Sequence, residues 1–365
     1  MKNSKAKGKK RFIINIICAI LTLTAYYSCY LSPANYFWAG FWALSVPGWL
    51  VVNLFFVLHW FLQKSWKGVV STLVLALGYS FIVSTIRFQL GGEKKKNHHT
   101  FSVLSYNVKV FNVYNHLQGK DSINAKKLIQ QVVEDSSDIK CLQEFFCEDS
   151  SKVFNTIAKI KEKGKYQYVI SPQKSERHNY FGIAIFSKHP IVRSGEIKFA
   201  KSLNRGQFAD IVVKKDTIRI YNIHLQSISL DEEKMFDSES YEQLKKNYNN
   251  IFLQLLRGFR LRAKQTALVL AHLEKSPYPV IVCGDFNDTP YSYTYKRFRE
   301  KLLNAFEEKG SGLDFSYNGK LFFLRIDNQF FSSNLNIHFF ETDRSFNYSD
   351  HFPLRGIYSI KKPRL

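Results

Sequence analysis

No aspartate or glutamate occurs before Glu93, and three apolar stretches fill that acid-free quarter of the chain. A soluble domain scatters acids among its bases, so long uncharged runs without any acid constrain this segment towards lipid. Ile13–Ser32 carries no charge and is about long enough to span a bilayer. Tyr36–Leu62 has no Lys, Arg, Asp or Glu; six aromatics lie in Tyr36–Trp49 and Trp60 sits near the other end, as two membrane interfaces require. Pro47 is placed to kink this run. Val69–Ile86 is a third run, closed by Arg87. The pattern predicts a membrane anchor over residues 1–90 with transmembrane helices at 13–32, 36–62 and 69–86. A cleaved signal peptide is the rival reading of the first run, but the two runs that follow would leave a membrane protein anyway.

The basic residues orient such an anchor. Residues 1–12 hold six Lys/Arg, the loop 63–68 holds Lys64 and Lys67, and the Pro33–Asn35 turn holds none. The positive-inside rule then predicts a cytoplasmic N-terminus. Three crossings would put the rest of the chain on the extracytoplasmic side of an inner or plasma membrane, although Arg87 and Lys94–Lys96 pull the other way. Of the net charge of +22, residues 1–96 supply +11 (twelve basic, one acidic) and residues 97–365 the other +11 (forty basic, twenty-nine acidic). The second share suits a phosphate-bearing partner, nucleic acid or anionic lipid headgroup, or equally a solubilising surface. Residues 91–99 read as a polar linker whose His98–His99 pair is solvated. The five cysteines show no CxxC or Cys/His metal spacing and read as buried thiols. No protein partner is predicted.

From residue 100 to 365 the pattern becomes short apolar or alternating runs split by helical stretches, which predicts one α/β domain with mixed sheets. Tyr241–Glu274 reads as one long helix, with a break near Gly258. Gln226–Asn250 contains a loop expected at the mouth of the site. The informative residues are polar and stand at the ends of the strand-like runs. Asn107 ends Leu-Ser-Tyr-Asn, Glu144 ends Cys-Leu-Gln-Glu, and His224 ends Tyr-Asn-Ile-His. Asp285 and Asn287 follow Val-Ile-Val-Cys in Gly-Asp-Phe-Asn. Asp327 lies in Arg-Ile-Asp, and Asp350 and His351 lie in Ser-Asp-His. Strand ends at one edge of a sandwich converge, so these residues are expected in one pocket. Carboxylates and amide oxygens suit a hard cation such as Mg²⁺, with Mn²⁺ as the alternative. A His paired with an Asp suits a general base acting on water, and Asn with a second His can steady phosphoryl oxygens. Singly, each motif is as readily a turn or a surface acid.

Together, and in this order, they resemble the endonuclease/exonuclease/phosphatase superfamily, over about Phe101 to Tyr358. The resemblance implies a four-layer sandwich of two mixed β-sheets flanked by helices. It implies Glu144 as the main metal ligand, supported by Asn107 and Asp350. Asp285 and Asn287 would position water and phosphate, His351 would act as base on Asp327, and His224 would stabilise the phosphoryl oxygens or the leaving group. Tyr180, ahead of Gly-Ile-Ala-Ile-Phe-Ser-Lys, stands near where some members place a phosphate-contacting Tyr. Lys109 replaces the acid that abasic-site endonucleases carry two residues after the first Asn, and His224 belongs to a His-Leu motif that they lack. Both features lean towards the deoxyribonuclease, sphingomyelinase and lipid-phosphatase branches. The expected activity is thus hydrolysis of a phosphodiester or phosphomonoester in a nucleic acid, phospholipid or inositol phosphate. The competing classes are a catalytically silent membrane-bound binding module on the same fold and a metal-independent phosphatase, for which no nucleophile motif is seen.

Overall fold

The computed structural model describes residues 2–88, 99–119, 122–176, 179–200, 202–228 and 241–361. Most of the predicted linker (91–98) and the segment 229–240, which holds most of the expected mouth loop, lie outside the described residues.

Two six-stranded sheets form the C-terminal part. The strands are β1 (Phe101–Asn107), β2 (Ile139–Glu148), β3 (Gln167–Glu176), β4 (Asn179–Ser187), β5 (Ile191–Lys198), β6 (Arg205–Val213), β7 (Asp216–His224), β8 (Val280–Asp285), β9 (Leu303–Asn304), β10 (Asp327–Phe331), β11 (Leu335–Thr342) and β12 (Leu354–Ile360). One sheet runs β11-β12-β1-β2-β4-β3 and the other β9-β10-β8-β7-β6-β5. In each sheet one central pair is parallel, β1 with β2 and β7 with β8, and the other pairs are antiparallel. The fold is therefore α/β with two mixed sheets.

Burial accounts for the layering. Strands β1 and β8 are buried at every position, as strands covered on both faces must be. Val103, Ile139 and Ile185 of one sheet pack against Ala209, Ile220 and Ile281 of the other. Leu128, Val132 and Ile160, from helices Ser122–Glu134 and Thr156–Gly164, cover the outer face of the first sheet with Leu104 and Leu142. Val269, Leu270 and Phe298, from helices Tyr241–Leu273 and Tyr293–Arg299, cover the second with Tyr221 and Val282. The long helix is not broken at Gly258; a Cβ there would stand 3.0 Å from Arg262 and 3.2 Å from Ile228, so the glycine serves close packing.

The three expected spans are corrected to one. Among the described residues, only Lys7–Ser28 is a helix long and apolar enough to cross a membrane. The run 36–62 is divided into Ala39–Leu44 and Val46–Leu62, with Pro47 in the first turn of the second piece. Proline has no N–H to continue a helix through that point. At about 1.5 Å per residue, the second piece falls short of the roughly 30 Å hydrocarbon core. The run 69–86 is divided at Gly78 into Val69–Leu77 and Tyr79–Val83. A Cβ at Gly78 would lie 2.1 Å from the Tyr26 hydroxyl, so this break is also where two helices touch. The helices still form one bundle, tied by buried polar bonds. Asn15 Nδ2 donates to Ser71 Oγ at 2.6 Å, Trp60 Nε1 to Asn15 Oδ1 at 2.8 Å, and Asn53 Nδ2 to Thr22 Oγ1 at 2.7 Å.

Gly284 carries a stability prediction. Its φ is 141°, and a Cβ would stand 1.9 Å from the Ile223 carbonyl oxygen of the neighbouring strand. Gly284→Ala is expected to cost about 3 kcal/mol or more, read as a lowered midpoint in thermal or denaturant unfolding.

Candidate active site

Strand register sets three of the polar residues side by side. In the second sheet His224 lies opposite Asp285, and Asp285 lies opposite Asp327. In the first sheet Asn107 ends β1 opposite Gln143, so Glu144 comes next along β2. The sheets are pinned to each other at this end by Gln143 Nε2, which donates to Asn222 Oδ1 at 2.6 Å.

Glu144 is aimed by a bulge. The β2–β4 register shifts between Leu142 and Phe145, and Glu144 sits within the shift at φ 47°. A bulge turns a side chain off the regular pleat, and a positive φ on a non-glycine residue is tolerated where the surroundings enforce it. Asn107 Nδ2 bridges the sheets, donating to Glu144 Oε1 at 3.3 Å and to Asp285 Oδ2 at 3.1 Å. In the turn after β8, Asn287 (φ 52°) donates its N–H to Asp285 Oδ1 at 2.8 Å and its Nδ2 to the Leu225 carbonyl at 3.1 Å.

His351 is held from two directions. Its Nδ1 lies 2.8 Å from Asp327 Oδ2, and its Nε2 lies 3.8 Å from Asp285 Oδ2. Ser349 Oγ donates to the Asn107 carbonyl at 2.8 Å, which fastens this loop to the end of β1. Ser316 Oγ accepts the N–H groups of Ile326 and Asp327, each at 3.0 Å, and so fixes the carboxylate partner.

A cleft of ≈ 190 Å³ opens over these groups. Glu144, His224, Asp285, Asn287, Asp350 and His351 line its polar side; Tyr317, Leu321, Leu324 and Ile326 line the other. Asn107 and Asp327 touch the cleft through their bonds to Glu144, Asp285 and His351. Lys109 Nζ lies 3.2 Å from Asp350 Oδ2. Tyr180 is elsewhere: it pairs with Cys147 across β2–β4 and packs on the outer helical core. Sequence reasoning did not find the apolar wall, because Tyr317, Leu321 and Leu324 fall in a stretch with no regular hydrophobic period. It also missed that Lys109–Asn112 has φ of 44°, 50°, 51° and 55° in succession, a left-handed turn with no glycine to announce it.

The electrostatics are lopsided. Glu144, Asp285, Asp327 and Asp350 share the cleft with two imidazoles and, among the described residues, one lysine. Burial pushes the Asp327 carboxyl up to about 6. Burial alone would lower the His351 pKa, but the charges of Asp327 and Asp285, with the bond to Asp327, outweigh it and raise the pKa to about 10. The His224 ring is buried, and its Nε2 has no hydrogen-bond partner among the described residues, though Asp285 Oδ2 and Glu144 Oε1 are 3.6 and 3.9 Å away. Asp285, Asp327 and His351 each present a ligand atom within 4.8 Å of the others. Crowded carboxylates with so little compensating charge fit a bound divalent cation, and oxygen donors select a hard one.

The comparisons with known proteins follow the same division of the chain. Residues 104–351 match the model of the Endonuclease/Exonuclease/phosphatase family, and residues 8–85 match a domain family of unknown function. None of the curated proteins matches. The human Nocturnin catalytic domain, solved with bound sulfate, superposes with TM-score 0.51 and 20% identity, covering 73% of this chain and 95% of that one. An endonuclease/exonuclease/phosphatase family protein from Bacteroides thetaiotaomicron gives TM-score 0.51 and 17% identity over 72% and 98%. A humanized D. rerio TDP2 gives TM-score 0.51 and 16% identity over 72% and 99%. At these identities the structural likeness is one of fold.

Proposed function

With more than half its length matched by that family model, the chain belongs to the endonuclease/exonuclease/phosphatase family, and from this premise we propose that it is a membrane-anchored, divalent-metal-dependent phosphoesterase. The observation that carries the reading is the Asp327–His351 pair, 2.8 Å apart, with the far nitrogen of the ring directed at the carboxylate-lined cleft. With Nδ1–H donated to Asp327, Nε2 is the nitrogen left to take a proton. A water on the cleft side gives its proton to Nε2 as its oxygen forms the new bond to phosphorus. The bond from phosphorus to the leaving oxygen breaks, that oxygen takes a proton from solvent water, and Nε2 returns the proton it captured to solvent. His224, and the second amide hydrogen of Asn287, would donate hydrogen bonds to the phosphoryl or leaving oxygen as charge grows there. Glu144, with Asn107 and Asp350 beside it, would hold Mg²⁺ or Mn²⁺, which supplies Lewis-acid stabilisation of the phosphoryl oxygens. With the neighbouring carboxylates neutralised by a bound cation, the His351 pKa would be lowered from its raised value. The helix over Lys7–Ser28 serves as the anchor.

The direct test is hydrolysis of a bis-aryl phosphodiester by the full chain, with Mg²⁺ and then with excess EDTA. Turnover that EDTA abolishes and Mg²⁺ restores is expected; no turnover with Mg²⁺ or with added Mn²⁺ would leave a binding module. The base assignment also sets a pH dependence. A base must be unprotonated to act, so kcat/KM should rise with pH through the His351 pKa. Asp327→Asn removes the charge that raises this pKa, so the acid limb should move to lower pH while the maximum falls about ten- to a hundredfold. A profile that keeps its acid limb in the variant would exclude Asp327 as the partner.

A further inference from the structure

The N-terminal bundle docks on the segments that follow Asp285 and precede Asp327. Arg325, two residues before Asp327, donates Nη2 to the Ser84 carbonyl at 2.7 Å. Tyr291, four residues after Asn287, shares a hydroxyl bond with Thr85. Lys296 Nζ lies 3.3 Å from Ser80 Oγ and 3.7 Å from the centre of the Phe81 ring. Phe41 stacks on Phe252 with ring centres 4.7 Å apart. Gly40 admits Phe259, whose ring would stand 2.5 Å from a Cβ there. These contacts involve the end of the bundle where the Lys7–Ser28 helix finishes.

Beside this junction lies a second cavity, ≈ 530 Å³, within the roughly 300–1,000 Å³ typical of ligand sites. Leu44 and Pro47 wall it from the bundle and Phe315 and Phe323 from the sandwich domain, with Asp314 and Arg325 also in the lining. Leu324 borders both this cavity and the catalytic cleft. Phe322 and Phe323 stand 64% and 54% exposed in the adjoining turn, and Tyr36, Phe37 and Trp38 are also exposed at this end of the bundle. Adjacent exposed aromatics suit a membrane interface better than water.

We infer that this cavity takes the hydrocarbon chain of the substrate while its phosphate ester occupies the cleft at His351, so the natural substrate is a membrane lipid rather than a nucleic acid. The inference rests on the phosphoesterase reading above. Leu324, the wall common to cavity and cleft, sets the two side by side, and the proposed anchor would hold both near the membrane surface. A polynucleotide has no apolar chain for these walls.

The test uses two chromogenic phosphodiesters with one leaving group, p-nitrophenyl ethyl phosphate and p-nitrophenyl dodecyl phosphate. Plasmid DNA is a third substrate. The full chain is assayed in nanodiscs, so that partitioning of the dodecyl ester is the same for every variant. Wild type should favour the dodecyl ester over the ethyl ester in kcat/KM by on the order of tenfold or more. Phe323→Glu and Leu44→Trp, both at partly exposed positions that tolerate change, should each lower that ratio by about tenfold. A wild-type ratio near one, a ratio unchanged in both variants, or faster cleavage of plasmid DNA would overturn the lipid assignment and leave the phosphoesterase reading standing. Failure of wild type to hydrolyse any of the three would overturn both.

Discussion

Replacing His351 with alanine is expected to cut turnover of an aryl phosphodiester by a factor on the order of 10²–10⁴, the usual cost of losing a general base. The reason is positional. His351 is the imidazole whose one nitrogen is anchored, by Asp327 at 2.8 Å, while the other faces the cleft. The carboxylates that would hold the cation are left in place by this change, so Mg²⁺ binding, measured calorimetrically, should persist. Substrate KM should shift little, because the ring acts mainly as the reaction proceeds. A variant that retains wild-type turnover, or that loses cation binding and turnover together, would remove His351 from the role of base. Folding is checked separately: the ring is buried, so truncation costs packing, and His351→Gln keeps much of the volume without the basic nitrogen.

Most residues of the candidate site could be picked out in the sequence because they stand at or near strand ends. Asn107, His224, Asp285 and Asp327 each close or open a strand, whereas Glu144, expected at a strand end, lies inside β2 at the bulge, because pairing with β4 resumes at Phe145 and runs to Glu148. The two parallel pairings then bring those ends level. Ser-Asp-His needed its motif order, since no strand contains it. The apolar wall was illegible because Tyr317, Leu321 and Leu324 come from a segment with no periodicity, placed by long-range bonds such as Ser316 to Asp327. Strand β3 carries little hydrophobic pattern for a related reason. Gln, Lys and Glu fill many of its positions, and it lies at a sheet edge, where one side of its backbone has no neighbouring strand.

The N-terminal part shows the limit of composition. Hydropathy correctly marks three apolar runs but not their continuity, which local events decide: Pro47 in one run and Gly78 in another. The contacts from Ser84 to Arg325 and from Gly40 to Phe259 join residues more than two hundred positions apart. No local pattern carries such information, yet these contacts place the apolar helices beside the cleft.

Glu144→Gln should behave differently from the loss of His351. The amide keeps the shape of the side chain and can still accept the hydrogen bond from Asn107, now 3.3 Å from Glu144 Oε1. What it removes is one negative charge from the group proposed to hold the cation. Metal affinity should therefore fall, and turnover at low Mg²⁺ should drop by on the order of 10². Weakened binding responds to mass action, so raising Mg²⁺ should recover much of that loss. His351→Ala offers no such recovery, because the missing group there is a proton acceptor. Titrating Mg²⁺ against turnover in both variants separates the roles. A Glu144→Gln variant with an unchanged Mg²⁺ midpoint would place the cation elsewhere in the cleft, with Asp285 the next carboxylate to test.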